Sequence, residues 1–501
     1  MLSSRGAAAA RNQKKDLMFE VMADTYDSKA NPDGFINLGI AENTLMHPEL
    51  LKHLEKKFRP SSNNLSYGCG PSGSVRLRKA LANFFNRHFS PIRPVSPSHI
   101  NASRGVTSSL ERLAYELGDP GDKFLLGRPY YGSYESDLHD RAGIEIAPVS
   151  FGDIDPTSPD CVSCYESVIQ AHPRTGAGRI TALLLCNPHN PLGRCYPRET
   201  LTALMTLCEK HQIHLIIDEI YALSVFPNPN LPTAVPFTSA LSIPTTNLIN
   251  PARIHTLWGL SKDFGANSLR IGCVVSQANP PLMSVLAAHA AYSFPSALLD
   301  YMACAILEDE RFVARFLKES QRRLAENYGL TTAFLRKHGI PYEEAGAGCF
   351  VWVDLGAAWR ERRRGLGIEV ENGDPCCELE DELLFNHHHN HHDDRGEMTR
   401  QLPESPTGQP LALPIGDAGW IFLPPPYPHL PHQEHLKDEM DGATNLTDDI
   451  ERKLVSQRVY LASGDCCGSE RVGWFRIVFS SVGSRGVLME GLRRVLGAVE
   501  G

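Results

Sequence analysis

The 501-residue sequence predicts an α/β fold: a large domain with a mostly parallel central sheet, then a smaller α/β C-terminal domain. Three observations carry this. Short apolar runs alternate with amphipathic stretches from about residue 100 onward. A long charged segment with helical spacing spans residues 307–335. A second group of strand-like runs follows it. The length also exceeds what one compact core normally holds, which favours two domains.

The apolar runs are KFLLG, RITALLLCNP, IHLIIDEIYA and IHTLWGLSK. Each is short, uninterrupted and bounded by Gly, Pro or Asn, as expected of parallel strands buried on both faces and covered by helices. A helical segment starting near Arg198 lies between the second and third. The segment from Leu307 to Leu335 is long enough to bridge two domains. The smaller domain then begins near AGCFVWVDL and ends in WFRIVFS.

Composition narrows the function classes. A net charge of −9 gives no support to a nucleic-acid surface, and no apolar run reaches the eighteen residues that suggest a membrane span. The first residues, MLSSRGAAAARNQKKDL, lack the long apolar core of a secretory signal. The thirteen cysteines are odd in number and scattered, which suits a reducing, cytoplasmic setting; Cys161 and Cys164, a lone CxxC, read as ordinary thiols. From about 360 to 450 the texture turns rich in proline, histidine and acid, and an insertion is expected there. His387, His388, His389, His391 and His392 fall in it, but a rigid frame of spaced ligands is missing, so no metal site is expected.

Several motifs could carry chemistry. Gly68, Gly70 and Gly73 form a GxGxxG, yet polar, turn-forming FRPSSNNLS precedes it where a dinucleotide site needs a strand. NASRGVTSSLERLAYEL is a better anion site. Gly105 precedes a helix whose first turn carries Thr107, Ser108 and Ser109, and Ser108 and Glu111 have the spacing of a capping box. Asp218 follows Leu215, Ile216 and Ile217, at the carboxyl end of an expected parallel strand, where open α/β sheets bind ligands. Tyr221, Asn187 and Asn190 end neighbouring strands in the same way. Lys262 also stands near a strand end, and partial removal from water lowers an amine's pKa, as Schiff-base formation requires. Arg270 follows eight residues later. An aldehyde-capturing lysine, a carboxylate for a pyridine nitrogen and a phosphate site are together what pyridoxal phosphate needs.

NLGIAEN, NPHNPLG, IIDEIYALSVF, LSKDFGANSLRIG and GWFRIVFS stand in an order and spacing that resembles the fold-type I pyridoxal-phosphate enzymes of aminotransferase class I/II. The resemblance is strongest to the branch of 1-aminocyclopropane-1-carboxylate synthases and their fungal and animal relatives. It implies an arm at residues 1–50 that joins the small domain, a large cofactor-binding domain at 51–305 and a small domain at 306–501. Lys262 is then similar to the lysine that binds the cofactor and shuttles the α-proton, and Asp218 to the aspartate that keeps the pyridine nitrogen protonated. Tyr221 and Asn190 resemble the pair that hydrogen-bonds the ring's phenolic oxygen, and Tyr131 the aromatic stacked on the ring. Val106, Thr107 and Arg270 match phosphate-binding positions. Tyr67 resembles the tyrosine that reaches the phosphate of the neighbouring subunit, which implies a homodimer. Arg476 corresponds to the arginine that grips the substrate α-carboxylate. Gly259 departs from the pattern, because many relatives carry a phosphate-binding serine there.

The resemblance leaves the reaction open. One reading is an aminotransferase moving an amino group from an L-amino acid to a 2-oxo acid, in specialised metabolism. The other is a lyase, closing a cyclopropane from S-adenosylmethionine or cleaving a carbon–sulfur bond. Glu42 keeps the lyase in play, since it resembles the glutamate that cyclopropane-forming enzymes place at the active site. A third class is a non-catalytic relative acting through the insertion.

Overall fold

The computed structural model describes residues 2, 3, 6, 7, 17–67, 70–365 and 446–501. Most of the expected insertion, with its five histidines, lies outside the described residues. Seven strands form the central sheet: β1 (Ile100–Ser103), β2 (Lys123–Gly127), β3 (Glu145–Val149), β4 (Ile180–Cys186), β5 (His214–Asp218), β6 (Ile254–Gly259) and β7 (Gly272–Val275). Their spatial order is β1-β7-β6-β5-β4-β2-β3. Strands β3, β2, β4, β5 and β6 run parallel, and β7 is antiparallel to both of its neighbours. The expected α/β class and mostly parallel sheet are what the chain adopts.

Continuous apolar runs are needed because both faces of the sheet are covered. On one face Leu183, Leu185, Leu215 and Ile217 pack against Leu201, Leu204 and Met205 of the helix Arg198–His211. On the other, Ala182, Leu184, Ile216 and Leu257 pack with Leu110 and Leu113 of helix α1 (Gly105–Leu117). Side chains alternate along each strand, so neighbouring residues serve opposite layers. Each fully buried leucine or isoleucine contributes about 1.5–3 kcal/mol relative to exposure. The carboxyl ends of β2, β4, β5 and β6 consequently share one edge, where the loops starting at Arg128, Asn187, Glu219 and Leu260 emerge.

A 28-residue helix, Glu310–Lys337, connects this sheet to a second one. Its start is set by Asp309, whose carboxylate accepts the Phe312 N–H at 3.0 Å. The second sheet contains β8 (Phe350–Asp354), β9 (Ala462–Ser463) and β10 (Trp474–Val478) in the antiparallel order β9-β10-β8. An N-terminal strap lies beside it: Ile36–Asn37 pair with Val459–Tyr460, and Leu38 accepts the Val478 N–H at 2.7 Å. The strap matters because it delivers residues 39–42 to the candidate site.

The described residues before the GxGxxG form no strand, which a dinucleotide site would need. A 3₁₀ turn, Ser62–Leu65, precedes the motif instead, and Gly73 leads into a helix capped by Ser74, whose Oγ accepts the Leu77 N–H.

Candidate active site

Lys262 lies in the single helical turn Leu260–Asp263 that follows β6. That turn is pinned by its neighbour: the Asp263 carboxylate accepts the Trp258 indole N–H at 2.9 Å, the Ser224 hydroxyl at 2.7 Å and the Leu223 N–H at 3.2 Å. These bonds tie the lysine turn to the loop after β5. The Lys262 amine donates to the Ala41 carbonyl of the strap. Burial pushes its pKa below that of an ordinary lysine, because the charged form loses water. A neutral, nucleophilic amine is thereby favoured.

Asp218 ends β5 and is 5% exposed. Its Oδ2 accepts the Tyr134 hydroxyl at 2.9 Å and its Oδ1 accepts the Ile220 N–H at 3.2 Å. Burial raises its pKa to about 6, against the pull of those two bonds and of Lys262. A buried carboxylate with room for one more partner suits a protonated ring nitrogen, whose positive charge would offset the desolvation cost.

At the other end of this cavity helix α1 begins. Its first residue is Gly105, with Arg104 as an N-cap that offers no side-chain bond, so the capping box expected at Ser108 and Glu111 does not form. The start is set instead by close approach. Gly105 has φ +80°, and a Cβ there would lie 2.6 Å from Nη2 of Arg270. The guanidinium thus reaches the helix N-terminus, where Val106 and Thr107 line the cavity. Exposed N–H groups, the helix dipole and an arginine make an anion cradle.

Glycine at 259 has the same kind of cause. Gly259 pairs with Gly272 across β6 and β7, and a Cβ on it would sit 2.6 Å from the Ile271 carbonyl oxygen. A Cβ on Gly272 would sit 2.4 Å from Gly105 C. The glycines let both strands and the helix start approach, and a serine at 259 would not fit. Ser261, 8% exposed, lines the cavity with Thr107 and Arg270.

Arg476, central in β10 and 4% exposed, donates from Nη1 to Asn190 Oδ1 at 2.8 Å and from Nη2 to the Gly39 carbonyl at 2.8 Å. Its Nε is buried without a partner, an orphan donor that a bound anion could satisfy. Asn190, with its oxygen engaged, keeps its amide N–H groups for another acceptor.

The structure therefore brings most of the expected residues together. Val106, Thr107, Tyr131, Asn190, Asp218, Tyr221, Lys262 and Arg270 line one cavity. Lys262 and Tyr131 also border a wider adjoining cleft that holds Arg476. Glu42 stands one residue behind the wall, accepting from Asn267 at 3.5 Å. Tyr67 is 92% exposed and takes no part in this cavity. Tyr134, Asp137, Ser261 and Asn267 are cavity residues that sequence reasoning passed over. Their only signal was position, Tyr134 and Asp137 just after RPYYG, Ser261 beside Lys262 and Asn267 just after LSKD.

The residues present fit pyridoxal phosphate. Lys262 would hold its aldehyde, Asp218 its ring nitrogen, Asn190 and Tyr221 its phenolic oxygen, and Thr107 with Arg270 its phosphate. Gly105 admits the Arg270 guanidinium to the helix start, and the buried Nε of Arg476 is a donor left for a bound anion.

The family profile described as aminotransferase class I and II matches residues 33–383. A protein of Leptosphaeria maculans named "Probable aminotransferase sirI" is 32% identical over 372 residues, covering 74% of this chain and 87% of its own length. The 1-aminocyclopropane-1-carboxylate synthase 2 of Oryza sativa subsp. japonica is 32% identical, over 69% of this chain and 72% of its own. A Thermus thermophilus aspartate aminotransferase tetra mutant complexed with tryptophan has the same fold, with a TM-score of 0.64 at 18% identity, covering 100% of this chain and 99% of that one.

Proposed function

The chain belongs to the aminotransferase class I and II family of pyridoxal-phosphate-dependent enzymes, and on that premise we propose that it transfers the α-amino group of an L-amino acid to a 2-oxo acid. The observation that carries the proposal is the placement of Lys262 at the junction of two spaces. One holds Asp218 and the anion cradle, and the other holds Arg476. When bound, the cofactor supplies an electron sink for the bond broken at the substrate α-carbon. Arg476 holds the α-carboxylate, which fixes the amino group and α-carbon over the lysine. Lys262, once free, takes the α-proton and returns it, and its depressed pKa keeps the amine neutral for that task. Asp218 keeps the ring nitrogen protonated, and Tyr131 covers the ring.

A lyase reading stands beside it because Glu42 reaches the site wall through Asn267. Such an enzyme would expel a group from an S-adenosylmethionine or cysteine-conjugate substrate, without a 2-oxo acid acceptor. The two part on one assay. Purified enzyme is given amino acids with a 2-oxo acid, and separately S-adenosylmethionine or a cysteine conjugate. A new amino acid appearing only with the acceptor supports transamination. Thiol or methylthioadenosine release with no acceptor overturns it.

The same reading assigns a cytoplasmic homodimer in which Tyr67 completes the neighbouring phosphate site. Its exposure on one chain supports that role. Light scattering that finds an active monomer would count against it.

A further inference from the structure

Asp137 lines the same cavity as Lys262, Asp218, Thr107 and Arg270, and no role above uses it. It lies on helix α2 (Tyr134–His139), three residues after the tyrosine that holds Asp218. The Thr107 side chain, at the start of α1, lies beside its carboxyl group in the same cavity. Asp137 therefore stands between the carboxylate for the ring nitrogen and the cradle for the phosphate. An ionised carboxylate bordering an anion site is unfavourable, whereas a protonated one is a hydrogen-bond donor.

We propose that Asp137 is a cofactor-binding residue that carries a proton when pyridoxal phosphate is bound and donates it at the phosphate end of the cavity, so that cofactor loading takes up a proton. The proposal rests on the cofactor reading above. The groups facing Asp137 are Asp218 at the end of β5, Asp140 just past its own helix, Arg270 before β7, and Lys262 across the cavity. Burial and the two aspartates outweigh the pull of Thr107 and of the Arg270 charge, and hold its pKa up at about 7. A phosphate dianion adds a like charge and raises it further. The sign follows: a group whose pKa is higher in the loaded state favours loading at low pH. Affinity falls as pH rises above about 7, by up to about tenfold per pH unit for one proton.

The test is cofactor retention and the ³¹P chemical shift of the bound phosphate, with holoenzyme dialysed between about pH 6.5 and about pH 9, a range that brackets that titration. Wild type is compared with Asp137→Asn, which donates an N–H at every pH. The pH dependence of the Lys262 linkage is common to both and cancels in the ratio. Wild-type retention should fall relative to Asp137→Asn by about tenfold per unit above about pH 7, and its ³¹P shift should titrate where the variant's does not. Asp137→Ser, also a neutral donor, serves if the asparagine variant does not fold. Parallel retention curves with superimposable ³¹P titrations overturn the proposal while leaving the cofactor reading intact. A wild-type protein that holds no pyridoxal phosphate at any pH, with no visible absorption from a lysine-bound cofactor, overturns both.

Discussion

The two ends of the site are built in different ways. The cofactor end comes from strand-end loops of a single sheet: Asp218 closes β5, Lys262 follows β6, and Arg270 leads into β7 against the start of α1. The carboxylate end is assembled from distant chain segments. Arg476 bonds Asn190 across 286 residues and Gly39 across 437. A sheet edge fixes its groups through local backbone geometry, whereas the Arg476 end depends on how the strap and the second sheet meet the first. Loss of a group at the first end should stop the chemistry, and at the second should mainly weaken substrate binding.

The comparison breaks most visibly at Lys262. Lys262→Ala should abolish the visible absorption of bound cofactor and lower kcat by at least about 10⁴-fold, since both the covalent link and the proton carrier disappear. Retained turnover in the purified variant would refute the assignment. At the other end, Arg476→Lys removes the bidentate fork while keeping a charge. We expect kcat/KM to drop by about 10–100-fold, mostly through KM, with the cofactor spectrum unchanged. A loss confined to kcat would show that Arg476 belongs functionally with the first end. Tyr134→Phe is a finer probe. Its hydroxyl stabilises ionised Asp218, so removal raises the Asp218 pKa further above about 6 and moves the acid limb of the kcat profile to higher pH. A fall in kcat of about tenfold is expected near neutrality and less at alkaline pH. The smallest effect belongs to Gly259→Ser. Placing a serine there should destabilise the protein by about 1–3 kcal/mol in thermal or urea unfolding without tightening cofactor binding, because the new Cβ meets the Ile271 carbonyl.

The same contrast explains what could be read from the sequence. KFLLG, RITALLLC, IHLIID and IHTLWG announce strands because burial on both faces forces unbroken apolar runs, and Asp218 and Lys262 stand out as charges at their ends. The start of α1 was legible only to within a turn. Ser108 and Glu111 have capping spacing, but tertiary contact between Gly105 and Arg270 decides where the helix begins. Tyr134 and Asp137 were missed because a tyrosine and an aspartate in a short helix carry no periodic signal. Gly259 looked like a lost ligand, and its reason is the carbonyl opposite it on another strand. A contact made by a backbone carbonyl leaves no mark on the residue that supplies it.

That point applies most sharply to the strap. The carbonyl of Gly39 receives Arg476 and the carbonyl of Ala41 receives Lys262, so a stretch of three residues steadies the principal nitrogen donors at both ends with atoms every amino acid possesses. Its information is therefore metric instead of chemical. Exchanging Ile40 for another apolar residue leaves both acceptors in place, whereas inserting one residue between Gly39 and Ala41 puts them out of step by a peptide unit. In evolutionary terms the strap should hold its length, and Gly39 its identity, because a Cβ there would sit 2.6 Å from the Tyr460 ring.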